Sequence, residues 1–163
     1  MPETKALFTA QFDAARTAWT KKDEPAAAEF LRSAIITARS EPSLRRELAS
    51  ALFHLGKLSQ KLGPAGDAEA EGFLTEALAI SEGLFGSGSA ALAPVLNELG
   101  RLHFHRSQYA RAADVLEQLP ERGTKRVGLL GRLALRERCR RPEPALDPAA
   151  ELRRKLDAAE EPP

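Results

Sequence analysis

The sequence predicts an all-α fold: a right-handed α-solenoid of about three helical hairpins, closed by one or more C-terminal capping helices. Three observations predict it. A phrase occurs twice, first as Leu52, Leu55-Gly56, Ala70, Leu74 and Ala77, and then as Leu96, Leu99-Gly100, Ala112, Leu116 and Leu119. The two Leu-Gly pairs lie 44 residues apart and Leu74 and Leu116 lie 42 apart, a period that marks stacked two-helix units. Leu and Ala dominate while aromatic residues make up only 6% of the chain, so helix propensity is high nearly throughout. No stretch alternates polar and apolar residues over a useful length, and no strand is predicted.

The elements follow from their punctuation. A first helix runs from about Glu3 to Lys21, and Asp23 caps a second that carries Pro25 in its opening turn. Glu41-Pro42-Ser43 opens a third, which closes near Gly63-Pro64. Asp67 or a neighbour opens a fourth, ending at Phe85-Gly86, where glycine suits the left-handed position after a helix. Ser87 or Ser89 caps a fifth that reaches about Arg106, and Tyr109 begins a sixth that ends near Pro120. A seventh is expected over about Lys125 to Arg140, and Asp147-Pro148 reads as the start of a short eighth. Residues 1–141 are thus assigned to the solenoid, and 142–163 to a proline-punctuated tail with a short helix.

A chain of 163 residues with 43% apolar side chains is long enough for one domain with a core. Its net charge of +1 exerts no global pull towards nucleic acid or a membrane. The single cysteine, Cys139, rules out an intramolecular disulfide and fits a reducing compartment. The N-terminal residues lack the apolar core of a signal peptide, and no apolar run approaches the roughly 20 residues that span a bilayer. A cytoplasmic protein is expected. Charge is unevenly placed, however. Asp67, Glu69, Glu71, Glu76, Glu82 and Glu98 form an acidic block, and 122–141 is rich in arginine.

The small residues have a steric purpose. Ala70 and Ala112, facing Gly56 and Gly100, let the two helices of a hairpin approach closely, while Leu52, Leu55, Leu96 and Leu99 fill the layer between them. On these residues the chain resembles the tetratricopeptide repeat family, in particular its longer-period variant found in kinesin light chains and many bacterial repeat proteins. The run Ala68-Glu69-Ala70-Glu71 through Leu74-Thr75-Glu76-Ala77-Leu78-Ala79-Ile80 is similar to that variant's second helix, and Leu84-Phe85-Gly86 to its exit. Val95-Leu96-Asn97-Glu98-Leu99-Gly100 resembles the next first helix and Gln108-Tyr109-Ala110-Arg111-Ala112 the next turn. A weaker copy reads Ala27-Ala28-Glu29-Phe30-Leu31-Arg32-Ser33-Ala34-Ile35, with Ala14-Ala15 in place of Leu-Gly, and a decayed one begins at Leu130-Gly131. Two departures stand out. Pro64-Ala65-Gly66 lengthens the second hairpin's turn, and His103 and Ser107 replace the usual tyrosine and glycine.

The resemblance implies a protein–protein interaction adaptor or scaffold whose first helices line a concave groove. Carried over residue by residue, the position after each small crossing residue is Arg16, Lys57, Arg101 and Arg132, all cations. Three before the crossing stand Phe12, Phe53 and Asn97, four after it stand Trp19, Gln60 and Phe104, and five after it Thr20, Lys61 and His105. The expected partner-binding set is Phe12, Arg16, Trp19, Phe53, Lys57, Lys61, Asn97, Arg101, Phe104 and His105. Such a basic, aromatic-lined groove suits a protein or linear peptide segment that is acidic and carries an apolar anchor. Phe12, Phe53 and Phe104 fit a core role equally well.

No catalytic site, metal site or cofactor is expected. His103 and His105, two apart on a helix, point to nearly opposite sides, His54 sits alone, and Cys139 has no histidine partner. No glycine-rich phosphate loop or Cys-x-x-Cys occurs. Two alternatives to the adaptor stay open. The acidic block and the basic segment could join copies head to tail as a homo-oligomer. Residues 122–141 could also bind nucleic acid, but that segment lacks interleaved aromatics.

Overall fold

A computed structural model of the chain describes residues 2–62 and 64–119. These residues form six α-helices and, among the described residues, no strand. The helices are α1 (Pro2–Thr20), α2 (Glu24–Arg39), α3 (Arg45–Ser59), α4 (Pro64–Phe85), α5 (Ala93–His105) and α6 (Tyr109–Glu117). They pair as the hairpins α1/α2, α3/α4 and α5/α6, and each hairpin packs on the next through α2 against α3 and α4 against α5. This is an all-α solenoid.

Local chemistry sets the boundaries. The Asp23 carboxylate accepts from Ala26 N at 3.2 Å and caps α2, satisfying a backbone donor that has no partner inside the helix. Gly86 follows α4 at φ +84, its N–H reaching Glu82 O at 2.8 Å. Each link between hairpins is a single 3-10 turn, Pro42–Leu44 or Ala90–Leu92, and its last residue is buried. Ser89 caps the second of these turns by accepting from Ala91 N at 3.3 Å.

The crossings are as tight as the small residues require. A Cβ on Gly56 would lie 2.8 Å from Leu74 Cγ, and one on Gly100 would lie 2.7 Å from Leu116 Cδ2. Ala70 and Ala112 are fully buried, and Leu52, Leu55, Leu96 and Leu99 are buried in the layer as expected. Side chains in place of the glycines would push the helices apart, because interiors pack at near-crystalline density.

Two expectations need correction. Helix α4 starts at Pro64 and not at Asp67, so Pro64-Ala65-Gly66 forms its first turn instead of a longer loop. The helix begins ten residues before Leu74, whereas α6 begins seven before Leu116, so the extra residues of the longer repeat lie in the helix. Proline at a helix start lacks only an N–H that would be unpaired there anyway. Helix α6 stops at Glu117, short of Pro120. The His54 ring packs 5.5 Å from the Phe12 ring and 5.4 Å from the Phe53 ring.

His103 is buried, with Nδ1 2.9 Å from the Gln108 amide oxygen. Ser107 adopts a left-handed φ of +56, which glycine would take more readily. Gly63, the expected seventh and eighth helices, Leu130-Gly131, Arg132, Cys139 and the boundary between 141 and 142 all lie outside the described residues.

Candidate partner-binding groove

The hairpins present two rows of helices. In one row α1, α3 and α5 meet side by side: Lys61 lies 4.8 Å over the Trp19 ring, Phe12 meets His54, and Arg101 NH2 donates to Gln60 Oε1 at 3.1 Å. In the other row α2 and α4 are joined by Arg32–Glu69 at 3.8 Å and Arg39–Glu76 at 2.7 Å. The two arginines are seven residues apart on α2 and the two glutamates seven apart on α4. Seven residues are two turns on one face, so the pairs form a ladder. Glu71 continues it by pairing with Arg106 and Arg111.

A cavity of about 740 Å³ opens on the first row. It is lined by Trp19 of α1, Lys57 of α3, Gln60 and Lys61 of the turn that continues α3, Asp67 of α4, and Glu98, Arg101, Leu102 and His105 of α5. All three hairpins therefore contribute. Asp67 enters the lining from the first turn of α4.

Of the ten residues expected at the site, the structure brings Trp19, Lys57, Lys61, Arg101 and His105 together around this cavity. The other five stand apart from its lining. Phe12 and Phe53 are half-buried against the core, and Phe12 stacks on Phe8 at 5.6 Å. Phe104 is half-buried and meets Tyr109 edge-on at 5.5 Å. Asn97 is half-buried, while Arg16 is 75% exposed and pairs with Asp13 at 3.2 Å. The aromatic wall of the cavity is thus Trp19, with Leu102 supplying aliphatic surface.

The cavity's cations are paired. Lys61 Nζ reaches Glu24 Oε1 at 2.9 Å, Lys57 Nζ lies 3.7 Å from Glu98 Oε1, and Arg101 donates to Glu98 Oε2 from NH2 at 2.6 Å and from Nε at 3.1 Å. With Asp67 and Glu98 in the lining, three cations face two carboxylates, so the wall is of mixed charge and not simply basic. Gln60 Nε2 is buried and, among the described residues, has no hydrogen-bond partner. An unmet buried donor costs about 1–3 kcal/mol.

The sequence pattern does not single out Glu98, Asp67 or Leu102. Glu98 carries a detectable signal, since it stands three residues before Arg101 on one helix face, a spacing at which opposite charges meet. Asp67 is hidden as long as α4 is taken to start there. His54 sits on the same row of helices. Burial, and next the Lys57 ammonium, hold its imidazole below the usual histidine value of 6.5. Among the described residues no cluster of His, Cys, Asp and Glu could hold a metal, and no helix is long and apolar enough to cross a membrane.

The crystal structure of BtubC (BKLC) from P. vanneervenii is similar to this chain with a TM-score of 0.69 and 22% sequence identity, over 98% of this chain and 68% of that one. The two share an all-α solenoid fold. At this identity the likeness concerns the fold. No family model and no curated protein matches the chain.

Proposed function

We propose that this chain is a non-enzymatic adaptor, working in the cytoplasm, that holds an extended segment of a partner protein in the groove between Trp19 and His105. The observation that carries the reading is one cavity built jointly by all three hairpins, of a size that takes a few side chains. The chemistry favours an acidic segment with an apolar anchor. Lys57, Lys61 and Arg101 supply charged donors, Gln60 Nε2 lacks an acceptor, and Trp19 and Leu102 offer apolar surface. The basic segment 122–141 and the domain boundary lie outside the described residues and add nothing to this reading.

The test compares the wild-type chain with Lys57→Glu/Arg101→Glu and with Arg16→Glu, whose side chain is exposed outside the cavity lining. Crosslinking from the native cell should capture a partner with the wild type and Arg16→Glu but not with the double variant, whose helicity is checked by circular dichroism. Trp19→Ala should weaken the recovered complex by about 2 kcal/mol, as loss of a buried aromatic anchor does. Equal capture by the double variant would refute the groove.

A further inference from the structure

We propose that Glu98 is the specificity-determining residue of the groove, acting as an internal carboxylate that competes with an acidic partner for Lys57 and Arg101. The inference rests on the groove reading above. Glu98 bridges a cation on α3 and a cation on α5, taking two donors from Arg101 and lying 3.7 Å from Lys57 Nζ. Its side chain is only 18% exposed, whereas Lys57 is 36% and Arg101 50% exposed. The carboxylate is thus seated deeper than the two cation heads with which it shares the cavity wall.

This arrangement has two opposing effects on an acidic ligand. Glu98 orients the cations, which favours binding, and its charge repels a second carboxylate. Any ligand carboxylate touching Lys57 or Arg101 comes within the Debye length of about 8 Å from Glu98, where salt screens the repulsion only in part. Orientation is served almost as well by an uncharged amide, because Arg101 can still donate to its oxygen. Repulsion therefore outweighs orientation, and Glu98→Gln strengthens binding.

Consequently the groove rejects segments that offer charge only. Partners are selected for an apolar side chain that reaches Trp19 and Leu102, since charge attraction by itself is largely cancelled within the wall. Asp67 stands in the same wall and adds a second negative charge to it.

The experiment titrates the full chain with a short acetylated peptide of alternating aspartate and leucine pairs, followed by the Trp19 indole signal in NMR spectra. Glu98→Gln should bind this probe about tenfold more tightly than the wild type, with a steeper dependence on salt. A matching peptide with asparagine for aspartate should show no such gain. Lys57→Glu/Arg101→Glu should bind the acidic probe at least tenfold more weakly. If the charge-reversed variant weakens but Glu98→Gln leaves affinity unchanged or lowers it, this inference fails while the groove reading stands. If none of the three proteins shows a shift at Trp19, both fail.

Discussion

The helix crossings predict opposite signs for one chemical change. A methyl group on Gly100 would lie 2.7 Å from Leu116 Cδ2 and 2.8 Å from its Cγ, against about 3.5–4.0 Å for a comfortable carbon contact. Leu116 is 1% exposed, so it can yield only by displacing packed neighbours. Gly100→Ala gains about 1 kcal/mol of helix propensity but costs about 1–3 kcal/mol in overpacking, for a net loss of about 1 kcal/mol. Gly72 lies in α4 with nothing within 4 Å of its added Cβ, so Gly72→Ala keeps the gain. The two variants should differ by about 2 kcal/mol, or about 1 M in urea midpoint for a domain of this size. Adding Leu116→Ala to Gly100→Ala should give a loss smaller than the sum of the single losses, since the clash disappears. A Gly100→Ala midpoint equal to or above that of Gly72→Ala would refute the packing argument.

Two further outcomes follow from backbone and charge. Ser107 holds φ +56, a conformation that costs a side-chain-bearing residue about 1 kcal/mol, so Ser107→Gly should raise the melting temperature or leave it unchanged; a clear fall would show that its hydroxyl matters more. His54 has a lowered value in the fold, so the unfolded chain takes up the proton first on acidification. Its contribution to stability is present above about pH 6.5 and is lost as pH falls through the folded value. Urea midpoints at about pH 7.5 and 5.5 should therefore lie closer together in His54→Phe than in the wild type, and an unaltered difference would contradict the burial of the ring.

The hairpins are legible in the sequence because their signals are steric and repeated. Gly56, Ala70, Gly100 and Ala112 admit only close crossings, and their recurrence at 44 residues for the glycines and 42 for the alanines marks which helices pair. The start of α4 is ambiguous because proline and glycine in Pro64-Ala65-Gly66 are turn residues that are also tolerated in a first helical turn. The site is half legible. Register places Trp19, Lys57, Lys61, Arg101 and His105 on one side, but period arguments cannot distinguish a phenylalanine that packs against its neighbour, such as Phe12 against Phe8, from one that lines a groove. Nor can they show that Glu98 neutralises its neighbours, because the Lys57 contact joins residues of different hairpins.

The same pairing bears on self-association. The acidic block could dock a second copy only through carboxylates that are free to pair, yet four of its six, Glu69, Glu71, Glu76 and Glu98, are paired within the chain. One terminal guanidinium nitrogen of Arg39 donates to both Glu76 carboxylate oxygens, at 2.9 and 2.7 Å, a charge-assisted contact stronger than a neutral hydrogen bond. A second copy would have to displace these contacts, exchanging one ion pair for another with little net gain, since exposed pairs contribute about 0–1 kcal/mol each. Association through these four carboxylates is therefore expected to be absent. The sedimentation coefficient should be the same at low and high salt and at two protein concentrations, in the wild type and in Glu69→Gln/Glu76→Gln alike. A salt-labile larger species that vanishes in the double variant would show that these carboxylates reach beyond their own chain.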